Sequence, residues 1–312
     1  MPEKVSFRSD GVDLAGHLYL PNKMGPDERR PAIVAVHPFG GVKEQTAGLY
    51  ARKLADKGFI TLAFDARYQG ESGGEPRYLE DPFARAEDIK SAVTFLSNHP
   101  QVDADHIGAL GICAAGGYTP YAAQTERRIK AVATVSAADM GSLFRDGLGG
   151  AAGPDVLRAM LDESAEARTA EARGEPPRYN HIVPDTAAEI TPDTSTLYAE
   201  GSDYYRTPRA QHPNARNIFL KQSVDRIAQY ASYDLISLIS PRPLLMIAGT
   251  EADTRYFSEL AIDKASEPKE LFLIDGASHI ALYDEPKYVD PAVAKLGAFF
   301  SEHLGLGASK AI

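Results

Sequence analysis

The one cysteine of this 312-residue chain stands where an apolar run gives way to small residues. The sequence around it reads Gly111-Ile112-Cys113-Ala114-Ala115-Gly116-Gly117, a small-x-nucleophile-x-small pattern. That is the form of a nucleophile elbow, in which a reactive side chain sits on a tight turn between a strand and a helix. Such a turn tolerates no bulk two residues to either side, a condition that Gly111 and Ala115 meet. A helix opening directly after Cys113 favours the thiolate through its dipole and free N–H groups, which lowers a thiol pKa from its ordinary ~8.5. The chemistry expected of this cysteine is attack on a carbonyl carbon. The competing readings are a small buried apolar residue or a redox sensor on an unreactive scaffold, and neither predicts a covalent acyl adduct.

A thiol nucleophile needs a base. Leu271-Phe272-Leu273-Ile274 reads as the last strand, and the loop leaving it ends in Ser278-His279, so His279 is the expected general base. His37 ends an earlier strand and is expected to shape the loop that follows it. His99, His106, His181, His212 and His303 fall where surface or structural roles fit better. An acid to orient the base belongs after the preceding strand, in Ala248-Gly249-Thr250-Glu251-Ala252-Asp253-Thr254. Asp253 and Glu251 both qualify; Asp253 is preferred because aspartate is the commoner partner. Either could instead cap the helix that contains Tyr256 to Leu260. The tetrahedral oxyanion calls for the backbone N–H after the nucleophile, Ala114, and one from the loop after the first parallel strand, Phe39 in Val36-His-Pro-Phe-Gly-Gly-Val42. Tyr68, Tyr118, Tyr204 and Tyr205 are candidates to line an aromatic-walled substrate pocket, although tyrosines at domain seams also simply pack.

The elements that must hold these residues follow from periodicity. Val5 to Tyr19 alternates about Ser9-Asp10-Gly11, as an antiparallel edge pair does. Short apolar runs at 31–36, 59–64, 106–111, 129–135, 243–248 and 271–274 suit strands covered on both faces. Between them lie helical patterns, one from about Glu44 to Lys57 that stops at Gly58, and one opened by Asp81-Pro82 with Phe83, Ala86, Ile89, Val93 and Leu96 on its inward face. A last helix is expected to open at Asp290-Pro291, with Val293, Leu296 and Phe300 inward. Strand-helix alternation predicts a mostly parallel, doubly wound α/β sheet. The regularity breaks between 139 and 234. We expect residues 1–138 and 235–312 to form the core and 139–234 an inserted helical cap.

A formal net charge of −10 without a clustered basic surface argues against nucleic acid. The N-terminus lacks a signal-peptide pattern, and no apolar run reaches the ~18 residues of a membrane span, so a cytoplasmic protein without a membrane partner is expected. A lone cysteine makes neither an internal disulfide nor a cysteine metal cluster, and no His-x-x-x-His spacing occurs. No metal or cofactor is therefore expected. The expected partner is a small-molecule acyl substrate, and base rates allow a homodimer.

His37-Pro-Phe-Gly-Gly41, Asp65-Ala-Arg-Tyr-Gln-Gly-Glu-Ser-Gly73, the elbow around Cys113, Tyr256-Phe-Ser-Glu259 and Gly276-Ala-Ser-His-Ile-Ala-Leu-Tyr-Asp284 together resemble the α/β-hydrolase superfamily over nearly the whole chain. More narrowly they resemble dienelactone-hydrolase-like enzymes, a group that includes polyketide transferases and small intracellular esterases. The resemblance implies a Cys-His-Asp triad of Cys113, His279 and Asp253. It implies hydrolysis of an ester, lactone or thioester through an acyl-enzyme, or acyl transfer by the same triad. The chain departs from that pattern in Ala115, where the elbow commonly has glycine, in its irregular acid loop and in its long insertion.

Overall fold

The computed structural model describes residues 1–25 and 27–306. Its first two strands, β1 (Glu3–Ser9) and β2 (Val12–Tyr19), pair antiparallel about Asp10-Gly11. Both turn residues have positive φ, 44° and 82°, which a two-residue hairpin turn with the twist of its strands requires. The chain then alternates through β3 (Arg30–Val36), α1 (Thr46–Ala55), β4 (Ile60–Phe64), α2 (Pro82–Ser97), β5 (Val102–Ile112), α3 (Ala115–Thr125) and β6 (Ile129–Val135). An insert follows: α4 (Met140–Asp146), α5 (Pro154–Ala172), β7 (Tyr179–His181), α6 (Thr196–Arg206), β8 (Ile218–Leu220) and α7 (Ser223–Ala228). The alternation resumes with β9 (Leu244–Gly249), α8 (Arg255–Lys264), β10 (Lys269–Ile274), α9 (Ala281–Asp284) and α10 (Pro286–Leu304).

Eight strands form one sheet in the order β1-β2-β4-β3-β5-β6-β9-β10, and the six from β4 to β10 run parallel. In β4, β3, β6, β9 and the C-terminal half of β5 the side chains are largely apolar and buried on both faces, as the continuous runs required, whereas edge strand β10 is buried only in part and Leu273 is exposed, contrary to the reading of 271–274. β3 is flanked by β4 on one side and β5 on the other. The chain therefore changes winding direction there, and the loops leaving β3 and β5 diverge to open a crevice at their C-terminal ends. Phe39 and Cys113 lie on those two loops.

Three local expectations need amendment. Asp81 does cap α2, its Oδ1 accepting from the N–H groups of Phe83 and Ala84, but Phe83 itself is exposed and lies edge-on to Tyr121 and Tyr230. The final helix starts a turn earlier than expected, with Pro286 in its first turn and Pro291 inside it. The insert is not purely helical, for β7 and β8 pair antiparallel within it. Among the described residues, no helix is long and apolar enough to cross a membrane.

Candidate active site

Cys113 has φ of 57°, a left-handed conformation that costs a non-glycine residue energy and persists only where its surroundings enforce it. Three backbone bonds do so. Its N–H donates to Val135 O at 3.0 Å, and its carbonyl accepts from Gly116 at 2.7 Å and Ala138 at 2.9 Å. The small flanks are steric necessities: a Cβ on Gly111 would stand 2.0 Å from the Ala115 carbonyl oxygen, and one on Gly116 would stand 2.5 Å from the Ala137 backbone. The N–H groups of Phe39 and Ala114 both bear on the Cys113 sulfur, so the two amides expected to hold an oxyanion converge on the thiol.

The Phe39 loop is held from behind. His37 is buried, with Nδ1 2.7 Å from the Pro38 carbonyl and Nε2 accepting from the Ala66 N–H at 3.1 Å. Arg85 donates to His37 Nε2 at 2.8 Å and to the His37 carbonyl at 2.7 Å. Burial and the Arg85 cation hold the His37 imidazole well below its ordinary pKa, so it stays neutral and acts as a strut. Arg85 pairs with buried Glu80, which accepts from Tyr118 Oη at 2.9 Å. Tyr118 thus buttresses the loop from the core and does not line the pocket.

His279 is buried on the loop after β10. Its Nδ1 lies 2.5 Å from Thr254 Oγ1, and its Nε2 lies 3.2 Å from Tyr283 Oη. Asp253 does not reach it. The Asp253 carboxylate instead accepts from the Leu197 N–H at 2.9 Å, in the first turn of insert helix α6, while its second oxygen is buried without a partner. A carboxylate at a helix N-terminus satisfies free N–H groups and the dipole, and that attraction turns Asp253 toward the insert. Glu251 is exposed, its carboxylate 3.4 Å from Thr250 Oγ1. Neither expected acid orients the base; a threonine hydroxyl does.

Without a carboxylate beside it, burial alone drives the His279 pKa down to about 3. The Cys113 thiol moves the other way. Burial pushes it up, and the Tyr283 hydroxyl and the two amides offset this only in part. The helix-terminus effect expected to favour a thiolate is present but outweighed by desolvation. The resting pair is a neutral thiol and a neutral imidazole.

Cys113 opens onto a cavity of about 530 Å³ between the core and the insert, within the usual range for small-molecule pockets. Its walls are largely apolar, from Phe39, Met140, Phe144, Met160, Ile182 and Phe219. Of the four candidate tyrosines only Tyr205 faces it; Tyr198 and Tyr283 do as well. Tyr204 packs edge-on behind Tyr205 and Tyr283, at 4.8 and 5.1 Å between ring centres. Tyr68 lies outside, at the left-handed turn of the Asp65–Gly73 loop. The residues not anticipated are Thr254 and Tyr283. Tyr283 had a signal, since it stands four residues after His279 at a helical spacing.

The model for the X-Pro dipeptidyl-peptidase (S15) family matches residues 10–229. The chain belongs to this family, within the α/β-hydrolase superfamily. The match includes Phe39 and Cys113 and stops before Thr254 and His279. Over 309 residues the chain is 40% identical to YcjY of Escherichia coli (strain K12), covering 97% of this chain and 100% of YcjY. It superposes on the crystal structure of the Pseudomonas aeruginosa protein PA2218 with a TM-score of 0.90 and 38% identity, over 97% of this chain and 94% of that one. It is also similar to the thiohydrolase aneE of Aspergillus aculeatus, at 28% identity over 76% of this chain and 73% of that one.

Among the described residues one trio has metal-ligand composition, His17, Glu44 and Glu71. The Lys43 ammonium lies 2.7 Å from Glu44 and 2.6 Å from Glu71, so a cation already sits among these carboxylates.

Proposed function

We propose that this protein is an acyl-transferring hydrolase that attacks an ester, lactone or thioester carbonyl with Cys113, in the manner of the dienelactone-hydrolase-like enzymes. The observation that carries this reading is the convergence of the Phe39 and Ala114 amides on a sulfur held at left-handed φ and open to an apolar cavity. In that setting the sulfur adds to the carbonyl carbon, the oxyanion settles between the two amides, and the thiol proton ends on His279. Preorganised donors of this kind contribute on the order of 10² to 10³ in rate. Collapse of the tetrahedral species expels the alcohol or thiol, which takes the proton back from His279. A thioester suits a thiol nucleophile best, because the exchange of one thiolate for another is close to balanced, and the similarity to a thiohydrolase favours the same class.

The wall of Phe39, Phe144, Phe219 and Met residues favours a second reading, transfer of the acyl group to a metabolite hydroxyl or amine. An apolar wall places little ordered water beside the acyl-sulfur bond. Both readings share the acyl-enzyme and are tested together. Incubation with p-nitrophenyl butyrate or butyryl-N-acetylcysteamine, followed by acid quench and intact mass, is expected to show one butyryl group on wild type and none on Cys113→Ala. Undiminished turnover by Cys113→Ala would sink the assignment. Product analysis with and without an added alcohol or amine then separates hydrolysis from transfer.

A further inference from the structure

Among the described residues, Cys113 and His279 make no hydrogen bond to each other, and the Tyr283 hydroxyl neighbours both: it bonds His279 Nε2 and faces the same cavity as Cys113. We infer that Tyr283 is a catalytic residue whose hydroxyl passes the thiol proton of Cys113 on to His279. The inference rests on the reading of Cys113 as the nucleophile.

Tyr283 Oη lies 3.2 Å from His279 Nε2 and bears also on the Cys113 sulfur. A buried phenol hydroxyl needs a polar partner, and here its neighbours are the nucleophile, the base and the Tyr205 hydroxyl, with no backbone carbonyl among them. The direction of transfer follows from the histidine's other nitrogen. In the tautomer that can serve as base, Nδ1–H faces Thr254 Oγ1 at 2.5 Å, Nε2 carries the free lone pair and accepts from Tyr283 Oη–H, and the phenol oxygen is left able to accept from the thiol.

The tyrosine is also held where a relay requires it. Two hydroxyls of α1 clamp its backbone: Thr46 Oγ1 donates to the Tyr283 carbonyl at 3.0 Å, and Tyr50 Oη donates to the Leu282 carbonyl at 2.7 Å. Its ring is wedged between those of Tyr204 and Tyr205, at 5.1 and 6.4 Å between centres. A side chain fixed from three sides does not swing away to let sulfur and imidazole meet.

The step balances. As the Sγ–C bond forms, the S–H bond breaks and its proton goes to Tyr283 Oη, while the Tyr283 O–H bond breaks and its proton goes to His279 Nε2. The carbonyl π pair moves to oxygen. The products are a tetrahedral oxyanion, an imidazolium and an unchanged neutral phenol. Burial raises the phenol pKa far above its ordinary value, so a discrete tyrosinate does not form and the two protons move together. The reverse sequence delivers a proton to the leaving group.

The experiment is a pre-steady-state measurement of acylation by p-nitrophenyl butyrate on the full-length chain. It uses wild type and Tyr283→Phe, in H₂O, in D₂O and in mixtures of the two. A general acid–base group contributes on the order of 10² or more, so the acylation rate of Tyr283→Phe is expected to fall by about that factor while the butyryl group still accumulates slowly on Cys113. The wild-type rate is expected to depend on deuterium fraction with the curvature of two protons in flight. A Tyr283→Phe rate within threefold of wild type, or a linear one-proton dependence in wild type, would overturn the relay. The second readout needs no variant and survives a folding defect in Tyr283→Phe. Those outcomes leave the nucleophile assignment standing, whereas failure of wild type to form any Cys113 adduct removes both.

Discussion

His279 is a buried imidazole with a hydroxyl beside it where a carboxylate was expected, and its titration registers the difference. Its pKa is about 3 in the folded chain and about 6.5 when unfolded. Between those values the unfolded state binds more protons than the native state, so stability falls as pH drops from about 6.5 toward 3. The slope from this one group reaches about 1.4 kcal/mol per pH unit, and His37 adds to it with the same sign. Urea midpoints measured at pH 7 and pH 5 are expected to fall further for wild type than for His279→Gln; equal shifts would contradict the buried, neutral state. The position of Cys113 on a strand-to-helix turn and of His279 on the loop after the last strand was legible in the sequence, because small residues around a turn and the end of an apolar run are local patterns. The thiol's pKa was not, since a dipole can be read from a helix start but desolvation depends on what packs above the sulfur.

At the scale of elements, two loops decide how the site is built. The loop from Asp65 to Gly73 is pinned by a buried pair, Lys43 Nζ to Asp65 Oδ2 at 2.9 Å, and Asp65 also accepts from the N–H groups of Lys43 and Glu71. A Cβ on Gly70 would meet the Asp65 carboxylate at 2.2 Å, which explains the glycine within that motif. Removing Asp65 leaves Lys43 paired with Glu44 and Glu71 but orphans buried backbone N–H groups, at about 1–3 kcal/mol, so Asp65→Ala is expected to lose at least that much in chemical denaturation. The loop after β9 holds Asp253, and its bond to Leu197 makes a different prediction from a triad role. Asp253→Asn is expected to lose about 0.5–2 kcal/mol, as helix caps do, with kcat/KM within a few-fold of wild type. A drop of 10³ or more would instead restore Asp253 as the orienting acid. The sequence offered two acids within three positions, and what drew Asp253 from the histidine was the N–H of Leu197, more than fifty residues away, while Glu251 is exposed to solvent. The mistaken inward Phe83 has a similar origin: the periodicity of α2 was right for Ala86, Ile89, Val93 and Leu96, but Phe83 packs at the surface against Tyr121 and Tyr230.

Across the whole molecule, the alternating core was readable because each buried strand must be apolar on both faces, whereas the elements of the insert take their shape from the crevice they cover. That cover reaches the chemistry directly. Gly40, beside Phe39, has φ of 68°, and a Cβ there would stand 2.2 Å from Ile182 Cδ1 of the insert. Gly40→Ala is expected to displace the Phe39 amide and lower kcat by on the order of 10². Shortening the opposing side chain in Gly40→Ala/Ile182→Ala is expected to recover part of that loss; no recovery would show that the backbone strain at Gly40 alone is responsible. Ile182 is also a wall of the cavity, so under the proposed function one residue both bounds the acyl pocket and abuts the Phe39 loop. Descendants of this scaffold are then not free to exchange one insert for another as they would a modular accessory. A change of substrate made by rewriting the insert also retunes the reaction rate, and adaptation to a new acyl group is expected to proceed by paired changes on the two sides of that contact.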